Sequence, residues 1–287
     1  MDFKKEELIK TPLNYTGGKY KLLPQILPYL PNNINTFYDL FCGGCDVGVN
    51  INKLKISKKV VCNDNLELLI KIYNCFKENT IEETYNYIFK TMELNNLNKE
   101  NKEEYMKFRE IFNNTENKYG LDFYILICHS FSNLIEFNSN GKYNVPFGKR
   151  TFNKHIQNRL KYFIEQCKEI EFKNESFDYF TSDKLNENDF IYCDPPYMIT
   201  DIGYARNGSW SKEHDKKLFN YLDELNKNRI KFAMSNVLES KGKTNGELKE
   251  WSKKYKIIHL NNTYFNCNYQ TNDRRKNSTD EVLIINY

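Results

Sequence analysis

No stretch of this sequence approaches the roughly 20 apolar residues that a membrane span requires. Its first residues, Met1-Asp2-Phe3-Lys4-Lys5-Glu6-Glu7, lack the apolar core of a signal peptide. A cytoplasmic protein is therefore expected, and its eight cysteines are expected to be thiols. Cys42-Gly43-Gly44-Cys45 has CxxC spacing, but no second CxxC and no nearby histidine pair accompanies it. No metal site is expected. Internal repeats and low-complexity linkers are also missing. Strong net charge is absent too: +4 over 287 residues decides little about partners. One local absence is more useful. Between Glu136 and Glu165 there is no acidic residue, while Lys142, Lys149, Arg150, Lys154, Arg159 and Lys161 all fall inside. Phe137, Tyr143, Phe147, Phe152 and Tyr162 interleave them. Positive charge with stacking faces suits a phosphate backbone; a solvated basic helix after a loop has the same composition.

With 40% hydrophobic and 28% charged residues, the chain has ample material for a core. Apolar, β-rich runs occur at Thr36–Phe41, Lys59–Cys62, Phe190–Cys193, Ile230–Met234, Ile257–Leu260 and Val282–Ile285. Amphipathic stretches such as Lys216–Asn226 and Glu247–Tyr255 lie between many of them. Strands alternating with helices predict an α/β fold, a mostly parallel, doubly wound sheet. The alternation breaks between about residues 76 and 165. That stretch reads as helices over Ile81–Thr91, Glu103–Phe112, Phe123–Phe131 and Lys154–Cys167, with a polar loop at Asn138–Asn144. The expected organisation is a discontinuous domain, 1–75 and 166–287, interrupted by a helical insertion, 76–165.

The chemistry concentrates in Asp194-Pro195-Pro196-Tyr197, directly after the run Phe190-Ile191-Tyr192-Cys193. Two successive prolines end a strand and stiffen a loop at the carboxyl edge of the sheet, where open α/β folds bind ligands. The loop offers a carboxylate, two carbonyls and an aromatic face. An exocyclic amino group on a planar base needs two acceptors and a ring to stack on. A plain proline-stiffened turn is the competing reading.

Asp39-Leu40-Phe41-Cys42-Gly43-Gly44 also follows a strand, and its glycines permit close backbone approach to a ligand. Asp64 ends the next strand about 25 residues on, where nucleotide-type folds place a ribose-binding acid. A helix N-cap before Leu66 is its alternative role, which Asn63 could also fill. No Gly-Lys-Ser/Thr phosphate loop follows, so a neutral or cationic adenosine ligand is favoured over a triphosphate. Near the start, Asn14-Tyr15-Thr16-Gly17-Gly18-Lys19 suits a stacking platform at Tyr15 with Lys19 pointing into the site.

Together these blocks resemble the D12 class of N6-adenine methyltransferases, the Dam-type DNA adenine-N6 enzymes, most closely those of phage. The resemblance covers nearly the whole chain and includes Phe131-Ser132-Asn133, Pro146-Phe147-Gly148-Lys149-Arg150, Ser235-Asn236-Val237-Leu238-Glu239 and Thr279-Asp280-Glu281-Val282. It implies a Rossmann-like sheet that binds S-adenosyl-L-methionine, with an inserted helical DNA-recognition domain. By the resemblance, Tyr15, Gly17, Gly18, Lys19, Asp39, Phe41, Gly43, Asp64 and Asp194 form the cofactor site, and Phe180 completes the adenine pocket. Asp194, Pro195, Pro196 and Tyr197 form the catalytic loop. Phe131, Asn133, Leu134, Glu136, Asn138, Pro146, Lys149 and Arg150 face double-stranded DNA, with Phe131 where the duplex opens and Arg150 on a guanine edge. Lys154 and Arg159 are expected on phosphates. The implied reaction is methylation of a flipped adenine in GATC or a close variant. Glu136 stands where relatives carry a guanine-reading arginine, and Asn14 where bacterial members carry a base-reading lysine. A monomer, or a dimer on DNA, and a cognate restriction endonuclease are the implied assemblies. The rivals are an RNA or protein amide methyltransferase and a DNA-binding module without turnover.

Overall fold

The computed structural model describes residues 5–199, 210–261 and 279–287. Cys267 lies outside them. Eight strands form one sheet among these residues: β1 (Ile34–Asp39), β2 (Ser57–Asn63), β3 (Ile170–Lys173), β4 (Phe190–Cys193), β5 (Lys231–Ser240), β6 (Lys243–Thr244), β7 (Lys256–Leu260) and β8 (Thr279–Ile285). Their order is β3-β2-β1-β4-β5-β8-β7, with β6 pairing β5 at one end. The first five are parallel; β8 runs antiparallel between β5 and β7. The strand order reverses between β1 and β4, so a crevice opens above their carboxyl ends. This is the expected Rossmann-like α/β sheet.

Helices cover both faces, so the central strands read as continuous apolar runs rather than alternating ones. All four residues of β4 are buried. On one face lie α2 (Asp46–Lys53), α3 (Glu67–Glu78) and α7 (Lys154–Cys167); on the other lie α8 (Lys212–Lys227) and α9 (Gly246–Ser252). A short helix, α1 (Leu23–Ile26), precedes β1.

The predicted helical stretch contains α4 (Ile81–Leu94), α5 (Lys102–Asn114), α6 (Gly120–His129) and α7. Thr80 and Glu83 start α4 with a reciprocal capping box. Every residue of α6 except Asp122 is buried, which explains its largely apolar sequence. Its core is continuous with that of the sheet: Phe76 of α3 meets Tyr124 of α6 edge-on at 5.1 Å, and Tyr73 stacks between Phe163 and Phe172. The expected helix over Phe123–Phe131 begins earlier and stops at His129, because Ser130 turns to extended backbone. Phe131 is thereby pushed into a separate turn and left 56% exposed.

Helices α3 and α6 approach closely at Gly120. A Cβ there would lie 2.4 Å from the Lys71 carbonyl oxygen, and backbone cannot step aside as a side chain can. Gly120→Ala should therefore destabilise the fold by about 1–3 kcal/mol. Urea unfolding with an unchanged slope and a lowered midpoint checks this.

Candidate active site

Asp194 leaves β4 at the strand-order reversal, and the two prolines turn the chain across the crevice. Lys19 reaches it from the N-terminal segment. The Lys19 ammonium is 2.7 Å from Asp194 Oδ2, donates to the Gly17 carbonyl at 2.8 Å and lies 3.6 Å from Glu281 Oε1. Its side chain is 3% exposed. Tyr197 donates its hydroxyl to Asp194 Oδ1 at 2.7 Å, and its ring centroid is 5.1 Å from Lys19 Nζ. Burial raises the Asp194 pKa; Lys19 and the Tyr197 hydroxyl work against that shift.

The glycine turn closes the other side. Gly43 has φ +45°, and a Cβ there would sit 2.7 Å from the Tyr15 ring, so the bare backbone is what lets Tyr15 lie across the turn. Asp64 joins two loops: Oδ2 accepts from the Gly43 N–H at 3.0 Å and Oδ1 from the Leu66 N–H at 2.9 Å. The helix begins only at Glu67, with Leu66 at the capping position, so neither Asp64 nor Asn63 is the N-cap residue itself. Asp39 ends β1 fully buried, with Oδ1 unpartnered. Burial holds its carboxyl well above the usual range, and the charge of Asp194 adds to this.

These groups surround one cavity of about 450 Å³. Tyr15, Gly17, Gly18, Lys19, Asp39, Phe41, Gly43, Asp64, Asp194, Pro195, Pro196 and Tyr197 all line it. Leu134, Glu136 and Asn138 do too, from the predicted recognition segment. Two expected residues are buried away from it. Phe180 is buried in the core on the far face, with its ring against Tyr38 and Tyr179, and does not line the cavity. Asn133 is buried and used by the fold. It donates to the carbonyls of Ile127 and Cys128 and accepts from Asn14 and Arg150 at 3.0 and 3.2 Å.

Sequence reasoning passed over Trp210 and Asp46, both cavity-lining. Trp210 meets Phe41 edge-on at 5.5 Å. Asp46 opens α2, with Oδ1 unpartnered and Oδ2 3.4 Å from the Tyr20 N–H. Its position straight after the CxxC was the available signal.

The hairpin from 130 to 148 forms the outer wall. Phe131 N–H donates to the Pro146 carbonyl and Gly148 N–H to the His129 carbonyl, which sets Phe131 and Pro146 side by side, both exposed. Asn138 Oδ1 accepts from the Asn140 and Lys142 N–H groups and shapes the tip. Glu136, Lys149, Arg150 and Lys154 are exposed, and Arg159 is half-buried, 3.5 Å from Asn14 Oδ1. Asn14 thus bridges the N-terminal segment to the hairpin.

A family model of D12 class N6 adenine-specific DNA methyltransferases matches residues 15–266, a span that includes Asp194-Pro195-Pro196-Tyr197. The chain belongs to this family. Among its relatives, the type II methyltransferase M.FokI of Planomicrobium okeanokoites is 40% identical over 99% of this chain and 44% of that protein. The modification methylase StsI of Streptococcus sanguinis is 38% identical over 98% of this chain and 43% of its own length. The DNA adenine methylase of Salmonella typhi is 26% identical over 95% of this chain and 94% of its own. The chain thus spans less than half the length of the first two.

Burial raises the Asp46 pKa from 3.8 to about 6. A folded-state value above the unfolded one means the protonated form stabilises the fold fully below about pH 4, and this contribution is lost as pH rises through 6. Asp46→Asn should remove that loss. The variant's stability relative to wild type should rise by about 1–3 kcal/mol between pH 4 and 7. Denaturant titrations across that range measure it.

Proposed function

We propose that this chain transfers a methyl group from S-adenosylmethionine to N6 of an adenine extruded from double-stranded DNA. The observation that supports it most is the shared cavity. The proline loop, the glycine turn with Asp64 and the hairpin with an exposed aromatic all meet around one space large enough for a small ligand.

The residues suit this cofactor. Asp39, Asp46, Asp64 and Asp194 line the cavity with Lys19, and all four carboxyls have raised pKa values through burial. Such a wall favours a ligand carrying sulfonium and ammonium charges over a phosphate. Tyr15 would stack on the adenine ring, Asp64 would accept from the ribose hydroxyls, and Phe41 would close the ring's far side. When bound, S-adenosylmethionine supplies an electrophilic methyl group.

The amino nitrogen of adenine is a poor nucleophile because its lone pair is delocalised into the ring. Asp194 and the Pro195 carbonyl would accept its two hydrogens and draw them out of the ring plane, leaving the lone pair localised. Tyr197 would hold the base by stacking, and Pro196 would keep the loop stiff. The contribution of the protein is placement and electrostatics. Asp194 need not be a strong base, since the amino proton becomes acidic only after methylation.

N6 is hidden within a base pair, so the nucleotide must leave the stack. Phe131, exposed beside Pro146, would occupy the gap. Leu134 would add an apolar base contact. Arg150 would read a guanine, while Lys149, Lys154 and Arg159 would hold phosphates and Asn138 the hairpin tip's approach. Asn133 would act from below, by steadying Arg150. The proposed site is GATC or a close variant. Glu136 favours the variant, because a carboxylate accepts from cytosine N4 but cannot donate to guanine O6 or N7. The protein would act as a monomer, or as a dimer on DNA. The names of its relatives as modification methylases support a cognate restriction endonuclease as its biological partner.

Asp194→Ala should lower methyl transfer to unmethylated duplex by at least about 100-fold while DNA affinity persists; transfer at the wild-type rate contradicts the assignment. Glu136→Arg should move the preference at one outer base towards guanine, by about 1–3 kcal/mol, read from competition between duplexes differing at that base.

A further inference from the structure

Glu281 has no part in the reading above, yet it faces its centre. It lies on β8, paired with Val237 of β5 on one side and Leu260 of β7 on the other. Its side chain is 2% exposed. Oε1 is 3.6 Å from the Lys19 ammonium and accepts from the Tyr197 hydroxyl at 3.3 Å. A carboxylate is rarely buried this far unless it is paired.

Lys19 therefore stands between two carboxylates, with Asp194 in the closer contact. Tyr197 likewise stands between the same two, again closer to Asp194. Both Asp194 oxygens are engaged in this arrangement, Oδ2 by Lys19 and Oδ1 by Tyr197. An amino group arriving from a target base meets a carboxylate whose charge is already shared with both partners, and it is held more strongly if one of these contacts loosens. Releasing Lys19 into a buried space without another anion would be costly. Glu281 removes that obstacle. It is roughly 1 Å farther from Lys19 than Asp194 is, and the lysine stem can cover this without backbone movement. Its place in a strand paired on both sides makes it a fixed receiver.

We propose that Glu281 is a positioning residue that takes over Lys19 and the Tyr197 hydroxyl when the target amino group reaches Asp194. The inference rests on the adenine N6 reaction proposed above. Glu281 does not touch the base; it acts by freeing Asp194. A carboxylate that merely satisfied Lys19 would matter for folding and cofactor affinity, and not for the transfer step.

The test compares wild type with Glu281→Gln, Glu281→Asp, Lys19→Met and Lys19→Met/Glu281→Gln. Calorimetry measures S-adenosylmethionine affinity, fluorescence anisotropy measures duplex affinity, and rapid quench gives the single-turnover rate. In Glu281→Gln both affinities should stay within about twofold, while the single-turnover rate falls by about tenfold or more. Glu281→Asp should recover part of that rate. In the Lys19→Met background, Glu281→Gln should remove little more, since the Lys19 ammonium is no longer there to be handed over. A wild-type rate in Glu281→Gln overturns the proposal, and so does a loss that multiplies in full with that of Lys19→Met. If wild-type protein itself transfers no methyl group to adenine, the proposed reaction falls and this inference falls with it.

Discussion

Lys19 is buried where the carboxyl end of β4 and the strand β8 bring Asp194 and Glu281 towards one another. Without an ammonium there, these acids would repel across a space that water screens poorly. Asp39 already shows the strain, since Asp194 adds to the rise that burial imposes on its pKa. One cation therefore ties the N-terminal segment to the sheet. Tyr15 then falls across Gly43, and the Tyr20 N–H is brought to Asp46. The crevice that open α/β sheets leave at a strand-order reversal becomes a walled cavity because this segment is pinned over it.

The outer wall depends on a second set of bonds. Asn133 takes φ +54° and uses both ends of its amide, downwards to α6 carbonyls and outwards to Asn14 and Arg150. The same short stretch of chain, residues 14 to 19, thus touches the hairpin through Asn14 and the proline loop through Lys19. The hairpin and the proline loop are set against each other by neighbouring residues. The continuous core under α3, α6 and α7 has the same effect on a larger scale.

Much of this was legible in the sequence, because the informative residues are ones whose chemistry is local. Asp194-Pro195-Pro196-Tyr197 ends a strand by proline geometry. Asp39 through Gly44 marks a strand-to-helix turn by its glycines, and α6 announces burial by the apolar run Phe123–Cys128. Residues whose role is set by long-range pairing were harder. Glu281 sits in a short strand like any half-buried charge, and only the register of β8 brings it to Lys19 and Tyr197. Strand β3, Ile-Glu-Phe-Lys, is too short and too polar at its alternate positions to stand out. Phe180 illustrates the converse: it lies in the expected stretch after β3, but its ring turns to Tyr38 and away from the cavity. Asn133 shares a turn with an exposed aromatic, and nothing local distinguishes the residue that faces out from the one that holds the turn.

The most direct test of adenine-N6 chemistry is to incubate purified protein with unmethylated plasmid and S-adenosylmethionine, then map every N6-methyladenine by single-molecule sequencing. The account predicts N6-methyladenine confined to one short motif, GATC or a variant altered at an outer base pair. An unmodified plasmid, with cofactor and duplex binding both demonstrated, would contradict it.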